Sequence, residues 1–267
     1  MIRSLVALLV VAAVLAGAAP ARAQTTLTLG GDQVVQALLA DLAYFYRHST
    51  PNPPSFALSG GNTATGIADT ERGIADGGLV SRPLQAGDPA DLVLTPLATS
   101  GICLISSRRN PVPGITRALL QDIVAGRVTD WSQIPGSKVT GPIVPVGRAL
   151  NTGAGQVFQS VFVDPATPVA WKPLTVLTSA AVRDYVEQTP GAFGYVDLAL
   201  TAPVHAIPYE GIACTRSTIA NGTYPAHRPL GVVTRGKPRG AMARFLKWAT
   251  TSRKARQAIA TRYVPVG

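Results

Sequence analysis

Hydrophobic positions along this chain switch repeatedly between strand-like and helical spacing. Thr26 to Leu29 has the composition of a short strand, and Gly30-Gly31 after it reads as a tight turn. From Val34 to Arg47, the apolar residues Val34, Val35, Leu38, Leu39, Leu42 and Phe45 recur at helical intervals. Pro51, Pro53 and Pro54 end that segment, because proline has no N–H to continue the ladder. Ser55 to Leu58 returns as a strand. A small-residue loop, Ser59 to Gly66, leads into a short helix predicted over Ile67 to Ile74, and Gly77 to Val80 forms the next strand. The β-prone stretch Leu92 to Ser106 is long enough to cross between two lobes.

The rest of the chain repeats this alternation. Helices are predicted over Thr116 to Ala125 (stopped by Gly126), Gln156 to Val163 and Ala180 to Gln188. Strands are predicted over Ile143 to Val146, Phe193 to Val196, Val204 to Ile207 and Leu230 to Thr234. A single last helix, Ala241 to Ala260, should bury Met242, Phe245, Leu246, Trp248 and Ile259. Strands alternating with helices predict α/β layers. The length of 267 residues allows two lobes, since single cores tend to divide beyond roughly 250 residues.

The first 23 residues read as an export leader. Arg3 supplies the positive start, Leu5 to Leu15 is apolar but too short to span a bilayer, and Ala21-Arg22-Ala23 offers small residues for cleavage before Gln24. No cysteine stands near the cut, so a lipid anchor is not indicated. The mature chain is expected in the periplasm or outside the cell.

The formal charge is +10, and +8 once Arg3 and Arg22 leave with the leader. The bases are scattered apart from Arg253-Lys254-Ala255-Arg256, which reads as a solvated helix face rather than a nucleic-acid stripe. An anionic small ligand fits such a surface, and no nucleic-acid partner is expected. The two cysteines, Cys103 and Cys214, favour one disulfide in an exported chain, with two separate buried thiols as the alternative. Neither stands at metal-ligand spacing from a histidine, so no metal is expected. His48, His205 and His227 lie far apart, and the chain has no Gly-x-Ser-x-Gly elbow and no His-Glu-x-x-His motif. No catalytic group and no cofactor are therefore expected.

Three turns share one construction, a strand followed by a Gly-rich or hydroxyl-rich loop and then a helix: Gly30 to Gln33, Gly60 to Gly66 and Asn151 to Gly155. Helix starts carry unpaired N–H groups and partial positive charge, which suit an oxyanion. Arg82 follows one strand and Arg148 precedes the third loop. An arginine fork matches a tetrahedral oxyanion.

In this order the segments resemble the substrate-binding proteins of bacterial phosphate ABC transporters. The resemblance rests on Ser59 to Gly66 with Gly73 to Gly78 and Ser81-Arg82-Pro83-Leu84, on Val128-Thr129-Asp130-Trp131, and on Arg148 to Ala154. It continues through Thr189-Pro190-Gly191-Ala192-Phe193-Gly194-Tyr195-Val196, Tyr224-Pro225 with Arg228-Pro229-Leu230, and Tyr263 to Val266. It implies an α/β, two-lobed periplasmic-binding-protein fold (type II-like), each lobe a mixed sheet flanked by helices, with the ligand cleft at the hinge. The expected organisation is a leader over 1–23, lobe one over 24–97 and 209–267, and lobe two over 98–208. The implied function is capture of phosphate for uptake by a membrane permease, by a monomer. A different oxyanion or small anionic metabolite, or a secreted sensor or adhesin, is the alternative.

Carried over by position, the resemblance implies ligand contacts from Thr63, Ser81, Arg82, Arg148, Thr152, Gly153 and Ala154. The chain departs from the family at Leu150, where an acid is usual, and at Ala154, where a threonine is. Its first loop reads Gly31-Asp32-Gln33 instead of being rich in serine and threonine. Asp32 is either an acceptor for a proton carried by the ligand, which hydrogen phosphate offers and sulfate does not, or the cap of the following helix. Gln33 joins the candidate ligand set.

Overall fold

A computed structural model describes residues 24–266. The expected leader, 1–23, lies outside them. The first half opens with β1 (Thr26–Asp32), α1 (Gln33–Arg47), β2 (Ser55–Gly61), α2 (Thr63–Glu71) and β3 (Gly77–Val80). A long strand, β4 (Leu92–Ser106), leads to α3 (Arg117–Val124), β5 (Val144–Gly147), α4 (Gly153–Val157), β6 (Leu174–Thr175), α5 (Ser179–Gln188), β7 (Ala192–Asp197) and β8 (His205–Ile207). The chain closes with α6 (Arg216–Ala220), β9 (His227–Arg235), α7 (Gly240–Thr251), α8 (Arg253–Ile259) and β10 (Val264–Pro265).

The strands hydrogen-bond in the order β2-β1-β3-β9-β4-β7-β5-β6, with β10 and β8 also on β4. The organising element is β4. From Leu92 to Gly101 it runs antiparallel to β9, and from Ile102 to Ser106 antiparallel to β7. One strand thus serves two mixed sheets, as the length of the β-prone stretch predicted. Each half has its own core. One is built on Leu29, Leu39, Leu42, Leu79, Leu97, Phe245 and Ile259, the other on Ile102, Leu104, Trp131, Phe162, Phe193 and Tyr209. The helix α1 shows why the first half folds. Val35, Leu38, Leu39, Leu42 and Tyr46 form its buried stripe, and each fully buried aliphatic side chain contributes about 1.5–3 kcal/mol.

The stretch 209–226, expected with the first lobe, packs elsewhere. Tyr209, Cys214, Ile219 and Tyr224 enter the core with Ile102 and Leu104. Cys103 and Cys214 are disulfide-bonded with their Cα atoms 5.6 Å apart, which fastens this stretch to β4.

Three local expectations are corrected. Gly30-Gly31 is not a turn: β1 continues through both glycines, pairing with Ser59 and Gly60 of β2. Their role is close approach. A Cβ on Gly31, at φ +134°, would lie 2.4 Å from the Leu79 carbonyl oxygen, and one on Gly66 would lie 2.8 Å from the Gly30 carbonyl oxygen. The glycines therefore let α2 rest directly on strand backbone. Secondly, α2 begins at Thr63 rather than Ile67, because the Asn62 side chain accepts from Thr65 N at 2.9 Å and caps it. Thirdly, the last helix is two. At Ser252 the backbone turns to ψ 133°, and the Ser252 hydroxyl caps the new helix by accepting from Lys254 N. The hydroxyls of Thr250 and Thr251 bond back to the Leu246 and Lys247 carbonyls just before the break. Arg253, Lys254 and Arg256 are exposed, as expected of a solvated face. No helix among the described residues is long and apolar enough to cross a membrane.

Candidate functional site

Polar groups collect where β4 passes from one sheet to the other. Ser100 faces Arg228 across β4 and β9, and Ile102 faces Asp197 across β4 and β7. Arg228 Nη2 donates to both carboxylate oxygens of Asp197 at 2.8 Å. Its Nη1 donates to Ser81 Oγ at 2.7 Å and to the Ser81 carbonyl at 3.2 Å. Ser81 Oγ in turn donates to Asp32 Oδ2 at 2.7 Å, and Ser100 Oγ donates to Asp197 at 3.2 Å. Thr63 Oγ1 accepts from Ser81 N at 3.1 Å and lies 3.2 Å from Ser81 Oγ. All six side chains are buried. Burial alone would lower the pKa of Arg228. The neighbouring Asp197 and Asp32 carboxylates outweigh it, so the guanidinium is held above the ordinary arginine value.

Asp32 is a helix cap. Its Oδ1 accepts from Val34 N at 3.0 Å and from Val35 N at 3.4 Å, at the start of α1. Of the two roles open in the sequence, this one is visible in the hydrogen bonds. The carboxylate also borders a cavity of about 530 Å³.

That cavity lies where the two halves meet. Asp32, Gln33 and Arg228 line it from the first sheet and its extensions, and Arg148, Thr152, Ala154, Thr178 and Ser179 from the second. Arg148 follows β5. The Tyr195 hydroxyl clamps its backbone, accepting from Arg148 N and donating to Arg148 O, each at 3.1 Å. Its side chain is differently placed: Nε and Nη1 are buried and have no hydrogen-bond partner among the described residues. Desolvation pulls this guanidinium below the ordinary arginine value, opposed chiefly by Asp32. Next to it, the Thr152 hydroxyl accepts from Gly155 N at 3.1 Å and donates to the Ala149 carbonyl at 2.7 Å, so it is committed to the cap of α4. The first-turn amides of Gly153 and Ala154 have no intrahelical acceptor. Gly153 must be glycine for contact: a Cβ there would fall 2.1 Å from Ser81 Oγ and 2.4 Å from Arg228 Nη1.

The structure therefore brings Asp32, Gln33, Arg148, Thr152 and Ala154 to one cavity. Thr63, Ser81 and Gly153 form or abut the buried network beside it. Arg82 is not brought there. Its guanidinium is spent on Asp88, with Nη1 to Oδ2 at 2.6 Å and Nη2 to Oδ1 at 2.8 Å. Those hydrogen bonds hold the Asp88 carboxyl below the usual carboxylate value. Sequence reasoning missed Asp197 and the role of Arg228. The local signal was a charged residue near the start or end of a largely apolar strand. No spacing rule couples two residues 31 positions apart. Among the described residues, no cluster of three or more His, Cys, Asp or Glu is placed to hold a metal ion.

Two mixed α/β halves sharing one crossing strand, with an arginine-lined cavity between them, define a two-lobed binding-protein architecture. The chain belongs to the PBP superfamily, whose domain profile matches residues 16–253. It is 30% identical over 108 residues to the phosphate-binding protein PstS 2 of Streptococcus pneumoniae, a match covering 40% of this chain and 37% of that relative's length. Among solved structures it is similar to a chain from Clostridium perfringens described as a phosphate ABC transporter substrate-binding protein with bound phosphate. That likeness has a TM-score of 0.83 and 23% identity, covering 91% of this chain and 100% of the other. It is also similar to an ABC-type phosphate transport receptor from Vibrio cholerae, with a TM-score of 0.72 and 25% identity over 90% of this chain and 100% of the other.

Proposed function

We propose that this chain captures phosphate in the cavity between its halves and hands it to the permease of an ABC transporter. The observation that carries this is Arg148, whose buried Nε and Nη1 lack partners at the edge of the cavity. A buried donor left unpaired is costly, and an oxyanion between Arg148 and the free amides of Gly153 and Ala154 relieves that cost. The relatives named as phosphate-binding proteins supply the choice of anion. In this reading Arg148, Gln33, Gly153 and Ala154 contact the ligand. Thr152 shapes the loop, and Thr63, Ser81 and Arg228 hold the wall behind it.

Asp32 keeps its cap and also accepts the proton of hydrogen phosphate, taking the place of the acid that Leu150 lacks. A carboxylate at this wall disfavours a fully deprotonated anion. The lobes divide at the crossing of β4, with 24–100 and 227–266 in one and 101–226 in the other. The protein works as an exported monomer, released from the leader 1–23, without a cofactor and without a catalytic step. Calorimetric titration tests the reading. Heat with phosphate at micromolar protein, and none with sulfate, is the expected result; no heat with phosphate overturns it.

A further inference from the structure

A second cavity, of about 250 Å³, shares one residue with the first: Arg148 lines both. The second is otherwise apolar in character. Its walls include Val124, Leu150, Phe158, Val163, Trp171 and Tyr195. Phe158 stacks on Tyr195 with ring centroids 4.3 Å apart and lies 5.8 Å from Trp171. The Tyr195 hydroxyl is already committed to the Arg148 backbone, so that residue offers the cavity its ring. At the rim, Leu150 and Val169 are 60% and 56% exposed. Large apolar side chains left in water beside an apolar hollow mark a surface that gains by being covered.

We propose that this cavity is a side pocket for the organic substituent of a phosphonate or phosphate monoester whose oxyanion sits on Arg148. The proposal rests on the reading of Arg148 as the oxyanion clamp. Three observations meet in it. Arg148 is the residue common to the polar and the apolar cavity, so a ligand with a charged head and an apolar tail matches both at once. The volume suffices for a ring, since an apolar cavity of about 150 Å³ already takes up benzene. Leu150 also acquires a function. An acid at that position would neutralise Arg148 and place a carboxylate at the mouth of the pocket, whereas leucine keeps the mouth apolar. Inorganic phosphate remains a ligand and leaves the side pocket unused.

The test compares inorganic phosphate, methylphosphonate and phenylphosphonate by calorimetry on the mature chain. Phenylphosphonate is expected to bind at least tenfold more tightly than methylphosphonate, and phosphate to displace it. Val169→Trp, at the exposed rim, should fill the pocket, remove that tenfold preference and leave phosphate affinity unchanged. Phosphate binding with no gain from the phenyl group, or an equal loss for all three ligands in Val169→Trp, overturns the side pocket while leaving the phosphate reading intact. Failure of all three to bind overturns both.

Discussion

Two arginines on opposite walls of the main cavity, Arg228 and Arg148, are used differently. On the first wall Arg228 spends Nη1 on Ser81 and Nη2 on Asp197, and Asp32 is spent on a helix cap and on Ser81. On the second wall Arg148 keeps Nε and Nη1 unpaired. Arg228 leaves only its Nε without a partner, and its two Nη groups serve the architecture of the wall. A half-buried guanidinium with an Nη donor to spare at a cavity edge is a place for something else to bind. Arg82 resembles Arg228: both its Nη groups are held by Asp88, Nε alone is unpaired, and it takes no part in the cavity.

The sharpest way to break this comparison is Arg228→Ala. It leaves Asp197 buried without its partner, and should lower unfolding free energy by about 3–5 kcal/mol in a denaturant titration. Unchanged stability with lost phosphate binding would make Arg228 a ligand contact instead. Arg148→Ala should do the reverse. Phosphate affinity should fall about a hundredfold, roughly 3 kcal/mol from lost charge-assisted bonds, while the denaturation midpoint hardly moves.

Asp32→Asn refines the first wall, because asparagine caps helices as well as aspartate does. With the cap kept, a change reports the loss of the charge and of the bond from Ser81: the phosphate-to-sulfate affinity ratio should fall by roughly tenfold, about 1.4 kcal/mol. An unchanged ratio removes the acceptor role and leaves the cap alone. Asp88→Asn is the smallest effect, about 1 kcal/mol of stability at neutral pH with phosphate binding intact. Because Arg82 depresses the folded Asp88 carboxyl, this contribution is present above the ordinary carboxylate value. It fades as pH falls from about 4 through the folded value. The variant should therefore show a flatter loss of stability in acid.

Much of this was legible in the chain. The helical repeat at Val35, Leu38, Leu39 and Leu42 located α1, and the long β-prone run located the strand shared by both sheets. Arg148 and the loop Asn151 to Gly155 stood out by composition, the resemblance pointed to Thr152 and Ala154 within it, and the structure brings these residues to one cavity. What stayed hidden depends on pairing between distant segments. Gly30 and Gly31 in one candidate anion turn, and Gly66 in another, serve the contact of α2 with strand backbone, since composition does not say what approaches a glycine. Asp197 and Arg228 meet only through the register of β4 with its two neighbours. The break at Ser252 lay inside an unbroken apolar repeat, and only the hydroxyl run Thr250-Thr251-Ser252 marked it.

The position of β9 has a consequence for the order of assembly. It lies between β3 and β4, so the first sheet stays split until residues 227–235 arrive. The segment 101–226 is continuous and carries both cysteines of the disulfide. As the chain emerges from its N-terminus, that segment can close upon itself while the first sheet still waits for its central strand. Long-range pairing is the slow step in such topologies. The half that begins the chain is thus the last to be finished, and the arginine network at the crossing, which needs β9, forms only when assembly is complete.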